Sequence, residues 1–321
     1  MIVALSGGIG GAKLALGLSR VLPEGELTVI ANIGDDFEHL GLYITPDIDT
    51  LLYTLAGLDN PELGWGRRDE TWSFMETLAT LGGETWFRLG DRDLALHVER
   101  TRRLRRGETL SAIIGDFGRR LGVGTRVLPA SDDRVPTRVL TDEGWLDFQH
   151  WFVGMRAAPA VRELEFVNAG EAKGLPEALD AVGRAEVVII CPSNPFISID
   201  PILAIPGYRE ALLGTEAPII VVSPIIRGRA VKGPTAKMMA ELGQTPSARA
   251  VAEHYGDLVD GFIADEADSG TLSGLRCRVV YAPTLMRGVV EKEALARIVL
   301  RAAEGCSDEP DEIASSLRSS Q

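Results

Sequence analysis

The sequence predicts an α/β protein built on a Rossmann-like, doubly wound and mostly parallel sheet that carries a helical insertion. Several short apolar runs show no polar alternation, which is typical of strands buried on both faces of a parallel sheet. Glycine or proline and then a helical period follow several of these runs, as in βαβ units. A central stretch contains consecutive helical patterns with no buried strand between them, which indicates an insertion.

The predicted elements alternate along the chain. Buried strands are predicted at Ile2–Leu5, Leu27–Ala31, Val187–Cys191 and Ile219–Ser223. Helices are predicted at Ala12–Leu22, Gly207–Leu213 and Thr235–Leu242. Because strands and helices alternate, neighbouring strands should run parallel and a ligand should bind at their carboxyl ends.

The middle of the chain has a different pattern. Its helices are predicted at Asp69–Leu81, Leu94–Leu104 and Glu108–Leu121, within an insertion of about residues 60–125. Short strands at Val127–Leu128, Thr137–Leu140 and Trp145–Gln149 should form a β segment of about 126–150, and the parallel pattern should resume near Glu163. We expect residues 1–306 to form one domain and residues 307–321 to be a disordered tail.

Composition narrows the class of protein. The 46 acidic residues outnumber the 33 lysines and arginines, and a net charge of -13 repels nucleic acid. Three cysteines without a CxxC pair indicate neither disulfides nor a thiolate metal site. No apolar run reaches the roughly 18 residues of a membrane helix, and the first apolar run is too short for a signal peptide. We therefore expect a cytoplasmic protein without a membrane or nucleic-acid partner.

A glycine-rich segment between the first strand and the first helix is a candidate phosphate cradle, since backbone N–H groups at a helix start attract anions. Its residues are Gly7, Gly8, Gly10, Gly11 and Lys13. It lacks the Gly-Lys-Ser/Thr of a P-loop. It also departs from the dinucleotide fingerprint, because Lys13 replaces the third glycine and the second strand ends in Asn32. The alternative is a turn that serves packing alone.

Asp47 and Asp49, in TPDIDT, are candidate ligands of a metal cation. They can converge on one ion only if the segment is turned or extended, because side chains at i and i+2 of a helix diverge. The alternative is a helix cap. Arg92, in LGDRD, could clamp a phosphate or carboxylate, or could belong to a surface ion-pair cluster.

Three polar loops follow predicted strands or open a helix near the same sheet edge. They contribute Ser193 and Asn194 in PSNP, Ser223 in SPII, and Lys237 in KGPTAK. Together they favour a nucleotide-sized site. No G-x-S-x-G elbow or zinc spacing is present. The five tryptophans cluster in and beside the insertion, where they could be core or could stack a flat ring.

Many strings in one order resemble the 2-phospho-L-lactate transferase family, including its actinobacterial phosphoenolpyruvate-transferring branch. They are SGGIGGAKL, NIGDD, TPDIDT, GWGRRDETW, LGDRD, PASDDRVPT, FQHWFV, PSNPFISIDPI, SPII and GPTAKMM. The resemblance implies a homodimer and a Mg²⁺-dependent reaction on the deazaflavin alcohol Fo. The implied donor is a guanosine diphosphate ester of a phospho-acid, supplied by a guanylyltransferase, and GMP leaves.

Carried over residue by residue, the resemblance gives Asp49 and Arg92 as active-site residues and Asp47 as a magnesium neighbour. It assigns the glycine loop with Lys13 and the PSNP, SPII and GPTAK loops to the guanosine phosphates. The acid remains open among 2-phospholactate, phosphoenolpyruvate and 3-phosphoglycerate. The alternatives are a YvcK-type regulator that binds UDP-sugars and, disfavoured by Lys13 and Asn32, a nicotinamide-dependent dehydrogenase.

Overall fold

A computed structural model of the chain describes residues 1–60 and 66–307. Its strands are β1 (Ile2–Ser6), β2 (Leu27–Ala31), β3 (Phe37–His39), β4 (Leu42–Ile44), β5 (Arg126–Pro129), β6 (Thr137–Thr141), β7 (Gly144–Asp147), β8 (Glu163–Phe166), β9 (Val187–Ile190), β10 (Ile219–Val222), β11 (Ile225–Ile226), β12 (Arg229–Ala230), β13 (Gly261–Asp265) and β14 (Arg278–Ala282).

The helices alternate with these strands and also form the insertion. They are α1 (Gly8–Val21), α2 (Pro46–Leu55), α3 (Ser73–Thr80), α4 (Asp91–Leu104), α5 (Leu110–Arg120), α6 (Pro176–Gly183), α7 (Asp200–Leu203), α8 (Tyr208–Gly214), α9 (Thr235–Glu241), α10 (Ala248–Tyr255) and α11 (Val289–Ser307). Two π-helical turns, His150–Gly154 and Pro195–Ile199, interrupt the regular pattern.

Within the described residues, seven parallel strands form the central sheet in the order β14-β13-β10-β9-β1-β2-β5. The predicted α/β fold is confirmed. The chain proceeds from β1 to β2 and β5 in one direction and from β9 to β10, β13 and β14 in the other. The direction therefore reverses between β1 and β9, where open parallel sheets open a crevice for a ligand.

The burial of the central strands agrees with their apolar sequences. All five residues of β1 and of β2 are buried, because helices cover both faces of the sheet. α1 packs against α2 and α11. The crossing of α1 and α11 requires Gly17, since a Cβ there would collide with the backbone carbonyl of Lys292.

The predicted β segment divides between two sheets. β5 joins the edge of the central sheet beside β2, whereas β6 and β7 form a separate antiparallel sheet with β8. The expectation that the parallel pattern resumes near Glu163 is wrong, because β8 pairs with β6 in antiparallel fashion. Its alternating exposed and half-buried residues are typical of an antiparallel strand with one solvated face. Parallel strands resume with β9.

The insertion contains α3, α4 and α5, and α3 is shorter than predicted. Its first turn is held by the carboxylate of Asp91, which accepts the backbone N–H groups of Ser73 and Phe74, both at 3.0 Å. Residues 61–65 of the insertion and the predicted tail beyond 307 lie outside the described residues. In the described ranges, no helix combines the length and apolar character that a membrane span needs.

Candidate active site

A cavity of about 640 Å³ opens at the carboxyl edge of the central sheet, at the reversal between β1 and β9. The glycine loop and the loops after β9 and β10 line one end, which we call the loop end. Side chains of the insertion and of the first π-helical turn line the other, which we call the aromatic end. Buried carboxylates on α2 and α4 lie between them.

The glycines of the first loop have different structural roles. Gly8 has a φ of 64°, which only glycine adopts without strain. A Cβ at Gly10 would collide with the carbonyl oxygen of Pro192, and one at Gly11 with the hydroxyl of Ser6. Gly7, Gly8 and Gly10 line the cavity, whereas Gly11 does not. The packing interpretation therefore accounts for Gly11 and partly for Gly10.

Ser193, Asn194 and Ser223 all line the cavity, as the sequence predicted for one sheet edge. Their side chains already hold the loops. The Ser193 hydroxyl accepts the N–H of Gly7 at 3.1 Å and donates to the carbonyl of Gly7 at 2.8 Å. The Asn194 amide oxygen accepts the N–H of Phe196 at 3.0 Å. These residues fix the shape of the loop end and leave backbone groups to face a ligand.

Lysines give the loop end its positive charge. Lys13 lines the cavity, and its ammonium donates to the carbonyl of Met286 at 2.9 Å. Burial, followed by the positive charges of Lys232 and Lys292, lowers the pKa of Lys13. Lys232 lines the cavity as well. Positive charges that lie close together repel one another, and a bound anion stabilises them.

The structure places Lys237 outside the residues that line the cavity. Its ammonium donates to Glu241 at 2.7 Å and to the carbonyl of Pro159 at 3.0 Å. Glu241 lies one helical turn further along α9, so this i, i+4 pair turns the side chain away from the cavity.

Asp47 and Asp49 do not converge. α2 begins at Pro46, so both residues are helical and their side chains diverge. The Asp47 carboxylate accepts the side-chain amide of Asn32 at 2.8 Å and lies beside Gly7 and Gly8. The same Asn32 amide donates to Asp35 at 2.9 Å. The carboxylate beside Asp47 is therefore Asp35, a residue that sequence spacing did not pair with it.

The Asp35 and Asp47 carboxylates carry unbalanced negative charge. Burial raises the pKa of Asp47 to about 6. Burial and the neighbouring charges of Asp47 and Asp36 raise the pKa of Asp35 well above its usual range. Among the described residues, no group of three or more metal-ligating side chains occurs. Two carboxylates that resist ionisation together suit a divalent cation that takes its remaining ligands from a phosphate and water.

Asp49 belongs to a buried network with α4. Arg100, fully buried, forms an ion pair with one Asp49 oxygen. His97 Nδ1 lies 3.6 Å from the other oxygen, Oδ2, and His97 Nε2 lies 3.2 Å from Asp93. The Tyr53 hydroxyl donates to Asp93 at 2.5 Å. Asp49, His97, Asp93 and Tyr53 all line the cavity.

The two carboxylates of this network differ in basicity. Burial raises the pKa of Asp49, and the charges of Arg100 and His97 only partly oppose it. Burial also opposes ionisation of Asp93, but the hydrogen bond and charge of His97 outweigh it and lower the pKa of Asp93. Within the described chain, Asp49 Oδ2 has no hydrogen-bond donor. This oxygen is itself buried, and the residue Asp49 lines the cavity.

The structure places Arg92 at the exposed surface, outside the residues that line the cavity. Arg92 directly precedes Asp93 on α4, and because Asp93 faces the cavity, Arg92 projects outward. Arg100 is the arginine that reaches Asp49. The spacing of Asp93, His97 and Arg100, four and then three residues apart, places them on one helix face and was a signal that could have identified them.

The aromatic end contains Trp86, Phe87, Phe148 and Phe152. Phe148 and Phe152 stack with ring centroids 5.4 Å apart and an angle of 11° between their planes. Trp86 packs edge-on against Phe87 at 5.7 Å. Trp151, in contrast, is fully buried core, and Trp65 lies outside the described residues. Part of the tryptophan cluster is thus core, as the default interpretation held, and Trp86 faces the cavity.

The fold and this cavity define an α/β protein whose candidate site combines glycine-rich and lysine-bearing loops, aromatic side chains and buried carboxylates. The model of the family described as 2-phospho-L-lactate transferase CofD matches residues 2–275. The chain belongs to this family and is a phospho-acid transferase of coenzyme F420 biosynthesis.

Relatives and solved structures agree with this placement. The chain is 43% identical to a phosphoenolpyruvate transferase of Streptomyces griseus, over 94% of this chain and 98% of that protein. It is 40% identical to one of Mycolicibacterium smegmatis, over 93% and 96% of the two chains. The crystal structure of a UPF0052 family member from Bacillus halodurans has the same fold, with a TM-score of 0.61 at 16% identity over 93% of this chain and 98% of that chain.

Proposed function

We propose that this transferase moves a phospho-acid from its guanosine diphosphate ester to the terminal ribityl hydroxyl of Fo and releases GMP. One observation supports the proposal: a single cavity is lined by lysines of the loop end, by aromatic side chains and by the buried carboxylate residue Asp49. A donor with a diphosphate and an acceptor with a tricyclic ring need those two ends, and the reacting hydroxyl needs an acceptor between them.

In the proposed reaction, the Fo hydroxyl oxygen attacks the phosphorus that carries the acid. The bond from that phosphorus to its bridging oxygen breaks, and GMP leaves with the electron pair. The hydroxyl proton passes to Asp49 Oδ2, whose raised pKa suits a proton acceptor. Arg100 holds the other Asp49 oxygen and so orients the carboxylate. No covalent intermediate with the enzyme is needed.

We also propose a Mg²⁺ ion held by Asp35 and Asp47. Both carboxylates accept one Asn32 amide, and their raised pKa values indicate negative charge that a cation would balance. When bound, Mg²⁺ would neutralise charge on the diphosphate. Asp49, which the sequence grouped with Asp47 as a metal ligand, is paired with Arg100 and is left out of this set.

The donor acid that we propose is phosphoenolpyruvate. The curated relatives at 40–43% identity carry that name, although the motifs themselves left three acids open. An upstream guanylyltransferase supplies the donor, and the enzyme acts as a cytoplasmic homodimer, as the family resemblance implies.

The test is a coupled assay that contains Fo, GTP, Mg²⁺, the cognate guanylyltransferase and one candidate acid at a time, with products identified by mass. We expect the dehydro form of F420-0 and GMP from phosphoenolpyruvate, and less product from the other acids. Asp49→Asn serves as the control variant. Absence of a product with every acid contradicts the transferase proposal, and binding of a UDP-sugar in that case favours the nucleotide-sugar-binding regulator.

A further inference from the structure

Among the described residues, one cation that lines the cavity forms no ion pair with a carboxylate. Arg88 lines the cavity and directly follows Trp86 and Phe87 in the chain, whereas Lys13 and Lys232 belong to the loop end. Within residues 1–60 and 66–307, no carboxylate lies within ion-pair distance of its guanidinium. The arginines of the neighbouring helix are different: Arg100 and Arg103 are both paired with carboxylates.

Arg88 is exposed, and its guanidinium contacts an aromatic ring. Its guanidinium carbon lies 3.9 Å from the ring centroid of Trp72, a cation–π contact that holds the plane of the group without neutralising its charge. Trp72 in turn packs against the small apolar cluster of Ile44, Met75 and Leu89. A planar cation that is held in place at an otherwise apolar wall is prepared to bind an anion there.

We propose that Arg88 binds the ionised 8-hydroxyl of the acceptor ring and so selects the anionic form of Fo. This inference rests on the proposed function. The 8-hydroxyl is a phenol conjugated with the pyrimidine carbonyls of the deazaflavin, so its conjugate base is a delocalised anion at the end of a flat ring. Binding releases the phenolic proton to solvent. The negative charges of the donor bind at the loop end, to Lys13 and Lys232.

Selection of the anion has a spectroscopic consequence. A cation that contacts the ionised form lowers the pKa of the bound phenol, and a tenfold preference for the anion corresponds to about one pKa unit. Because loss of the proton changes the absorption of the deazaflavin chromophore, the ionisation state of bound Fo can be read directly.

The experiment is an absorbance titration of Fo from pH 5 to pH 8, free and with saturating protein, without donor. We expect the wild-type protein to lower the pKa of bound Fo by about one unit, and Arg88→Gln to abolish the shift and weaken Fo binding about tenfold at pH 8 but little at pH 5. Arg88→Lys, which keeps the charge, should restore part of the shift. Arg92→Gln is the matched control, since that arginine is exposed, lies outside the cavity and carries the same charge.

The outcomes separate the two proposals. If the wild-type protein does not bind Fo, the proposed function fails. If Fo binds and its pKa is the same in the wild-type, Arg88→Gln and Arg92→Gln proteins, the inference about Arg88 fails alone. If Arg88→Gln raises the KM for the donor and leaves the Fo titration unchanged, Arg88 binds the donor's carboxylate and the inference is overturned. Circular dichroism confirms that each variant is folded.

Discussion

The two ends of the cavity are built in different ways. At the loop end, backbone turns bring polar groups together, and serine and asparagine side chains are used to hold those turns, as with Ser193 on Gly7. Between α2 and α4, charged side chains are themselves buried, and a helix surface arranges them. The difference teaches that substitutions at the loop end should act through shape and binding, whereas substitutions on α2 and α4 should act through chemistry.

The largest expected effect is at Asp49. Asp49→Asn removes the proposed proton acceptor, and turnover should fall by roughly 10²–10⁴ with saturating Fo, donor and Mg²⁺. The variant also leaves Arg100 buried without a carboxylate, so unfolding should require about 3–5 kcal/mol less than in the wild type. Turnover is measured well below the melting temperature of the variant.

Glu165→Gln is a matched control for Asp49→Asn, because Glu165 forms an exposed ion pair with Arg138 at 3.4 Å outside the cavity. It should change neither turnover nor stability appreciably. Near-normal turnover of Asp49→Asn would mean that the reacting carboxylate is another member of the buried network, such as Asp93.

The next effect is on donor binding at the loop end. Lys13→Ala should weaken binding of GDP by about 1.5–3 kcal/mol, since it removes a charge-assisted contact, and should leave Fo binding nearly unchanged. Isothermal calorimetry with each ligand measures both. Lys237→Ala is the control, because that lysine is held by Glu241 and lies outside the cavity. Equal losses of GDP and Fo affinity would contradict the two-ended arrangement.

A smaller effect tests the shape of the loop end. Gly10→Ala places a methyl group against the carbonyl of Pro192 and should lower the free energy of unfolding by about 1–3 kcal/mol. Gly183→Ala, in α6, meets no atom within 4 Å and should be neutral or slightly stabilising. Chemical denaturation measures both variants. If Gly10→Ala is as stable as Gly183→Ala, the close approach of the two loops is not a constraint.

The smallest expected effect is a change in the slope of stability against pH. Burial raises the pKa of Asp47 from 3.8 to about 6, so between about pH 4 and pH 6 the folded protein binds more protons than the unfolded chain. The Asp47 contribution to stability is therefore fully present below about pH 4 and is lost as the pH rises towards about 6.

Asp47→Asn should flatten this part of the profile of melting temperature against pH, and Mg²⁺ should raise the melting temperature of the wild type more than that of the variant. Asp257→Asn, in an exposed pair with Arg209, is the control and should leave the profile unchanged. A wild-type profile that rises between pH 4 and pH 6 with the same slope in both variants would contradict the buried charge at Asp47.

The sequence predicted the parallel sheet well because its strands are buried on both faces and therefore apolar throughout. It also predicted that the loops after β1, β9 and β10 share one edge, since topology alone requires this. It missed β13 and β14, although Phe262 to Ala264 in β13 are fully buried. β8 was placed in the wrong sheet because a strand's partner is decided by tertiary packing.

The site was less predictable than the fold. Asp49 was identified, but its partner Arg100 lies 51 residues away and depends on how α4 packs against α2. Lys237 was preferred because it follows a loop motif, and its pairing with Glu241 along α9 was overlooked. Asp35 and Asp47 lie close together in the folded chain, where both accept hydrogen bonds from the side-chain amide of Asn32. Such contacts are properties of the folded chain and leave no signal in local spacing.

The position of the Asp47 carboxylate beside Gly7 and Gly8, at the amino end of α1, has a consequence for selectivity. The amino end of α1 is a position that attracts anions in general, and here the protein supplies an anion of its own. A free phosphate or monophosphate that approaches this helix meets a carboxylate already in place and is repelled. A diphosphate that arrives with its cation brings the charge that the carboxylate lacks. If the proposed function is correct, this end of the helix should favour a diphosphate donor with its cation over a free monophosphate.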